Sequence, residues 1–358
     1  LYLAPILQRA NFQMQLQING KVHRMKNWSL WLLRRQVALV AVLFAALFSL
    51  PAFAVPTLTA TAISDGFTLS QFADGFPTFS CCGPLGIAFP TSGGVMVSDY
   101  GGNVRVFPTD TDGQHAGSVP PAAFYGNGNG VGLAISGGNV YMTEQSAGAV
   151  IQLNNTGTFN QTIIGGGIPT ATGIVTNPAN GHLFVSDCCN GTGIYDVNPV
   201  AKTFTKFKTS GSYDGLTISP TGDVLYAEIG GHIIGYRTSD GVQVFDSGFI
   251  SGADGTALGF GTLGGEIFVN TNFGDLYEVS LATSAQTLLV TGGTRGDFVT
   301  PDPNGSLLFT QTSDIWRLTP AAGGCIGNAC NQVPEPATLA LLGLAFAGMG
   351  FARQRKLR

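Results

Sequence analysis

Asp214-Gly-Leu-Thr-Ile-Ser-Pro-Thr-Gly-Asp-Val-Leu-Tyr-Ala-Glu228 decides the fold. A short apolar strand after Gly215 meets a turn rich in Ser, Pro, Gly and Asp. A second apolar strand follows and ends on an acid, which is the pattern of a tight antiparallel hairpin. The same unit recurs as GIAFPTSGGVMVSDY from Gly86, GLAISGGNVYMTE from Gly132 and GIVTNPANGHLFVSD from Gly173. It returns as GTALGFGTLGGEIFVNT from Gly255 and GDFVTPDPNGSLLFTQT from Gly296, the six glycines lying 46, 41, 42, 40 and 41 residues apart. Each unit runs on into a third strand (NVRVF, AVIQL, GIYDV, HIIGY, DLYEV, DIWRL). Most close with a more polar fourth (TFNQTII, TFTKFK, VQVFDS, AQTLLV). Four short antiparallel strands at this pitch form a propeller blade. The sixth unit has no fourth strand of its own, and GFTLSQF (Gly66 to Phe72) supplies one from the other end of the domain. The expected fold is therefore all-β, a six-bladed β-propeller over residues 55–320 closed by an N-terminal strand, which leaves no open edge at the join.

Outward from the repeats, both ends of the chain read as address labels. Met25-Lys26 to Arg34-Arg35 is a charged region, Val37 to Leu50 is nearly all apolar, and Ala52-Phe53-Ala54 fits a small-x-small cleavage site. Residues 25–54 are thus expected to be a signal peptide and signal helix, with 1–24 an upstream start placed before the true Met25. The flanks of Arg34-Arg35 lack the rest of a twin-arginine pattern, so the Sec export machinery is the expected route. At the other end, Val333-Pro334-Glu335-Pro336 precedes an uncharged run from Ala337 to Ala352 and four basic residues in the last six. Sixteen residues span roughly 24 Å as a helix, a little short of a bilayer core of about 30 Å. Basic flanks stay cytoplasmic, so both apolar segments place the region between them outside.

The tail, 333–358, resembles the PEP-CTERM sorting signal of Gram-negative bacteria, in its VPEP box, apolar core and basic end. The resemblance implies export, a transient membrane tether through a C-terminal transmembrane sorting helix, and processing at the motif by exosortase. An ordinary uncleaved anchor and a buried core helix are the plainer alternatives. The repeats, and DGLTISPTGDVLYAE above all, resemble the NHL and gluconolactonase-like six-bladed propellers.

Between the labels, residues 55–333 hold 16 Asp and 4 Glu against 7 Lys or Arg, a net charge of −13, whereas the whole chain is at −4. Such a domain does not bind nucleic acid or anionic lipid through charge. Acid or amide residues end the second strand of most units: Asp99, Glu144, Asp187, Glu228, Asn270 and Gln311. Asp214, Asp254 and Asp297 precede three first strands. Oxygen donors converging on a channel mouth would suit Ca²⁺, which takes six to eight of them. The gluconolactonase-like resemblance implies Asp214 as one ligand, although Thr172 stands where that family places an Asn. The candidate metal set is Asp214, Asp99, Glu144, Asp187 and Glu228; the ordinary role of these side chains is to cap turns, and that reading is preferred. His115, His182 and His232 show no metal or catalytic spacing. Arg295-Gly296-Asp297 spells an adhesive tripeptide at a blade boundary, where chance explains it better.

All six cysteines lie in the exported region, as an oxidising compartment allows. Cys325 and Cys330 are expected to clip a linker, 321–332, where the propeller ends. The adjacent pairs Cys81-Cys82 and Cys188-Cys189 fall on the same face, and either local rings or a bridge between the two loops would pair them. The expected function is that of an exported cell-surface or extracellular-matrix propeller, a non-enzymatic module for an exopolysaccharide or surface protein. The alternative is a Ca²⁺-dependent gluconolactonase-like hydrolase or lyase.

Overall fold

Each repeat folds where its pattern places it. The computed structural model describes residues 54–322 and 324–326. Blade 1 comprises Pro84–Ala88, Val95–Asp99, Asn103–Phe107 and Ala123–Phe124, and blade 2 comprises Leu133–Ser136, Asn139–Glu144, Ala149–Leu153 and Phe159–Ile164. Blade 3 is built from Ala171–Thr176, Leu183–Asp187, Ile194–Asn198 and Thr203–Lys208; blade 4 from Leu216–Ile218, Val224–Ile229, His232–Arg237 and Gln243–Phe249. Blade 5 uses Ala253–Leu258, Glu266–Thr271, Leu276–Ser280 and Gln286–Thr291. Blade 6 uses Val299–Pro301, Leu307–Thr310 and Ile315–Thr319, and its fourth strand is Thr68–Asp74 from the N-terminal side.

That closure is antiparallel, with Thr68 opposite Thr319 and Ala73 opposite Ile315. Two short strands then cover outer edges: Gln114–His115 lies parallel to Thr68–Asp74, and Thr57–Leu58 pairs with the fourth strand of blade 5. The first strands of successive blades pack against one another, and that of blade 6 packs against that of blade 1, so the ring is complete.

The core is not one mass but a set of layers between blades. Phe72, Phe107 and Leu308 fill the layer between blades 6 and 1; Met96, Met142 and Leu153 fill that between 1 and 2; Tyr195, Val150 and Val185 fill that between 2 and 3. Phe184 and Leu225, then Tyr226 and Ile267, then Phe268 and Phe309 fill the remaining three. Each such side chain contributes about 1.5–3 kcal/mol on burial. Second strands such as Val95–Asp99 and Leu183–Asp187 are buried along their whole length because they face two layers. Ile326, the last described residue, is buried between blades 5 and 6, while the expected signal helix and sorting helix lie outside the described residues. Among the described residues no helix is long and apolar enough to cross a membrane.

The recurrent glycine has a steric cause. A Cβ on Gly86, Gly132, Gly173, Gly215 or Gly255 would come within 2.5, 2.5, 2.2, 2.3 or 2.1 Å of a carbonyl oxygen in the following blade. Only glycine lets neighbouring first strands approach this closely. The sixth unit departs from the expectation. The N–H of Phe298 donates to Thr310 Oγ1 at 2.9 Å, as those of Gly86, Gly132 and Gly173 donate to Ser98, Thr143 and Ser186. Phe298, not Gly296, therefore holds the glycine position there, two residues later than the repeat spacing suggests.

Candidate functional site at the channel mouth

This register places one residue of each blade around the neck of the channel: Leu85, Val131, Thr172, Asp214, Asp254 and Asp297, each just before the glycine position. The neck is divided. Blades 1 to 3 contribute uncharged side chains and blades 4 to 6 contribute carboxylates.

On the acidic side, Arg295 is the counter-ion. Its Nε donates to Asp297 at 2.8 Å and its Nη2 lies 3.4 Å from Asp254. Asp254 and Asp297 are 3% and 5% exposed. Asp214 is half-buried. Burial, with the charge of Asp297 and against that of Arg295, pushes Asp214 up to about 7. Burial also lifts Glu228 to about 7, against the hydrogen bond it accepts from the Gly231 N–H at 2.7 Å and with help from Asp214. Asp254 rises well above the usual carboxylate range through burial and then the charges of Asp214 and Asp297. Burial works against the charge of Arg295, but its hydrogen bond to Asp297 and the surrounding acids hold its pKa above the ordinary value. The cluster thus keeps a fixed guanidinium beside buried carboxyls, of which Asp214 and Glu228 are raised to about 7.

The other expected acids do not join it. Asp99 accepts from Arg105 and from Asn103 within blade 1. Asp187 caps its own loop: burial raises its pKa, but the Thr170 and Thr192 hydroxyls and the N–H groups of Asn190 and Thr192 bring it below the usual range. Glu144 is raised by burial near Tyr125. Thr271, not Asn270, ends the second strand of blade 5, since it lies opposite Ala253 as Asp187 lies opposite Ala171. Asn270 instead bridges to blade 6, donating to Phe298 O and Thr310 O at 3.1 and 2.9 Å. The histidines pair with aspartates elsewhere, His182 with Asp196 at 2.8 Å and His232 with Asp246 at 2.9 Å.

A resident Ca²⁺ does not fit this donor set. The guanidinium of Arg295 lies between Asp254 and Asp297, and a second cation beside it would be repelled. Among the described residues no three His, Cys, Asp or Glu side chains converge as a metal-binding group.

The uncharged side is a rigid, partly apolar strip. Cys81–Cys82 and Cys188–Cys189 each form a vicinal disulfide, and Cys325 is also disulfide-bonded; Cys330 lies outside the described residues. Cys82 packs with Leu85, Val131, Tyr100 and Phe298, and its Sγ is 4.0 Å from Asp297 Oδ1, so one ring borders the acidic cluster. Phe79 meets Tyr100 with ring centroids 6.0 Å apart. The Tyr100 hydroxyl donates to Gln145 Oε1 at 2.8 Å, and Gln145 Nε2 reaches Thr172 Oγ1 at 3.0 Å and Cys188 Sγ at 3.3 Å. The sequence offers Arg295 only within an Arg-Gly-Asp tripeptide set down to chance and gives no sign of Tyr100 or Gln145; the position of Arg295, two residues before Asp297, could have pointed to a charge pair.

The fold has many solved relatives. A gluconolactonase from Xanthomonas campestris aligns at a TM-score of 0.56 and 16% identity, over 75% of this chain and 97% of that one. A putative gluconolactonase aligns at 0.58 and 15%, over 74% and 98%. A virginiamycin B lyase from Staphylococcus aureus aligns at 0.50 and 16%, over 71% and 99%. At these identities the likeness is one of fold. No curated protein matches the chain in sequence. Residues 332–356 match the PEP-CTERM protein-sorting motif, which implies export and processing by exosortase. The chain therefore joins a PEP-CTERM sorting motif to a six-bladed propeller whose structural neighbours are of the gluconolactonase type.

Proposed function

We propose that the delivered protein is a ligand-binding propeller of the cell surface or extracellular matrix, and that its channel mouth binds without metal catalysis. The carrying observation is the placement of Arg295 among Asp254, Asp297 and Asp214, where a catalytic cation would have to sit. The half-neutral, half-acidic neck favours a partner that offers an uncharged face and hydrogen-bond donors, such as a polyhydroxylated polymer or a surface protein. Delivery follows from the two labels: Sec-dependent export with removal of residues 25–54, then cleavage at Val333-Pro334-Glu335-Pro336. The Cys325–Cys330 clip would close the packed domain just ahead of the cut.

Two measurements on the exported protein test this reading. Intact-mass spectrometry should find the C-terminus within the VPEP box, and a chain complete through Arg358 would refute processing. Lactone hydrolysis should stay at background with Ca²⁺ or with chelator. Calcium-dependent turnover lost in Asp214→Ala would instead establish the gluconolactonase-like alternative.

A further inference from the structure

Two of the six blades carry an extra strand on the outer edge: Thr57–Leu58 lies against the fourth strand of blade 5, and Gln114–His115 against that of blade 6. The rim of this propeller therefore accepts added strands. The fourth strands of blades 2, 3 and 4, Phe159–Ile164, Thr203–Lys208 and Gln243–Phe249, have no outer neighbour strand among the described residues. Such an edge presents unpaired N–H and C=O groups to any strand that can approach. Blade 4 has part of its edge in use, since Ser284 Oγ donates to Asp246 O at 2.7 Å and Gln286 Nε2 to Ser247 O at 2.8 Å. Charge then separates the rest. Phe159–Ile164 has no charged residue and Gln243–Phe249 only Asp246, whereas Lys206 and Lys208 lie on Thr203–Lys208 and Lys202 in the turn before it. These are all the lysines of residues 55–333. Each of the four arginines of that region pairs with an aspartate, but among the described residues no lysine does.

We propose that the outer edge of blade 3 is a docking site, independent of the mouth, for an acidic extended segment of a partner protein, added as a fifth strand. Lysines on an edge deter a neutral strand, which would strip their water and return nothing. A strand with carboxylates at alternate positions removes that barrier. The pleat puts Phe204 and Lys206, two residues apart, on one face. Lys206 is exposed with its Nζ 5.4 Å from the ring centre of Tyr195, and Phe204 is 37% exposed, so the face offers a cation and an apolar surface together. Lys202 is also exposed, its Nζ 2.7 Å from Gln161 Oε1, and it extends the row. Lys208 lies over the ring of Tyr236 and donates to Gly241 O at 3.2 Å, on the side of blade 4. Elsewhere the net charge of −13 repels an acidic segment, so the lysines decide where it lands.

The probe is a short peptide alternating Thr and Glu, titrated into the exported protein by calorimetry. Its Thr/Lys counterpart and a version with every backbone nitrogen methylated serve as controls. Saturable 1:1 binding of the Thr/Glu peptide at millimolar concentration or below is expected, with new hydrogen-exchange protection confined to Thr203–Lys208. Lys202→Gln combined with Lys206→Gln should weaken it about tenfold, or about 1.4 kcal/mol shared by two cross-strand charge pairs. Absence of binding, protection elsewhere, or equal binding of the methylated peptide overturns the proposal. Self-association of the chain that the double variant abolishes would put a second copy on the edge, and tighter binding of an oligogalacturonate would put a polysaccharide there; either overturns it too. Because the comparison of peptides needs no variant, it holds even if a substitution prevents folding.

Discussion

Arg317→Ala should weaken the closure of the ring in a pH-dependent way. Arg317 lies on the third strand of blade 6, beside the closing strand Thr68–Asp74, and its side chain is 7% exposed. Its guanidinium donates to Asp302, to Ser306 Oγ at 2.6 Å, to Asp112 Oδ1 at 2.7 Å and to Asp110 Oδ1 at 2.6 Å, and it sits 5.5 Å from the ring centre of Phe72. The substitution leaves Asp302, fully buried, with the Asn304 N–H at 2.9 Å as its remaining hydrogen bond among those described. Removing one partner of a buried ion pair costs about 3–5 kcal/mol, which in a domain of this size lowers Tm by roughly 6–20 °C. Burial already lifts Asp302 to about 6 against the pull of Asn304 and Arg317, and loss of Arg317 lifts it further. A carboxyl whose folded pKa exceeds its unfolded one binds more protons when folded, so stability falls as pH rises through that range. At pH 8 the variant bears the whole cost; at pH 5 the carboxyl is protonated, and about 1–2 kcal/mol of lost hydrogen bonding remains. Trp316 is the only tryptophan between residues 55 and 333 and lies next to Arg317, so urea unfolding followed by its fluorescence reports the closure. A deficit below about 1 kcal/mol, or one equal at the two pH values, would refute the reasoning.

The neck and the mouth give two further expectations. Gly215→Ala puts a Cβ 2.3 Å from the Asp254 carbonyl oxygen and 2.7 Å from Gly255 Cα; calorimetry should show a loss of at least about 1–3 kcal/mol, and an unchanged Tm would contradict the close-approach argument. Asp214→Asn removes a carboxyl raised to about 7 from an ordinary 3.8, so the native protein gives up stability between about pH 4 and 7 that the variant keeps. The full shift corresponds to about 4 kcal/mol, and solvent screening reduces it to about 1–2. The variant should therefore melt higher than the parent at pH 8, by a smaller margin at pH 5 and alike only below about pH 4, and the reverse order would sink the assignment of charge in the cluster.

The fold was legible because its cause repeats. The glycine before each first strand answers the same carbonyl contact in five blades, and the alternation of Val95–Asp99 or Leu183–Asp187 with turns follows from the same layered packing. The missing strand of the sixth unit was equally visible, since a ring cannot leave an unpaired edge beside Ile315–Thr319. The site was less so. Asp99 and Asp187 end their strands just as Glu228 does, yet Arg105 and the Thr192 loop engage them locally while Glu228 faces Asp214. That distinction depends on neighbours from other blades, which periodicity does not carry. The pairing of Arg295 with Asp254 was hidden for the same reason, and Phe298 because its blade enters the neck two residues late.

Calcium titration of the exported protein by calorimetry tests the central claim most directly, namely that Arg295 and not a metal balances the carboxylates of the mouth. No stoichiometric heat should appear for the unaltered chain at millimolar Ca²⁺ (a range that covers even weak extracellular sites). One Ca²⁺ bound per chain at micromolar concentration, and lost in Asp214→Ala, would contradict it.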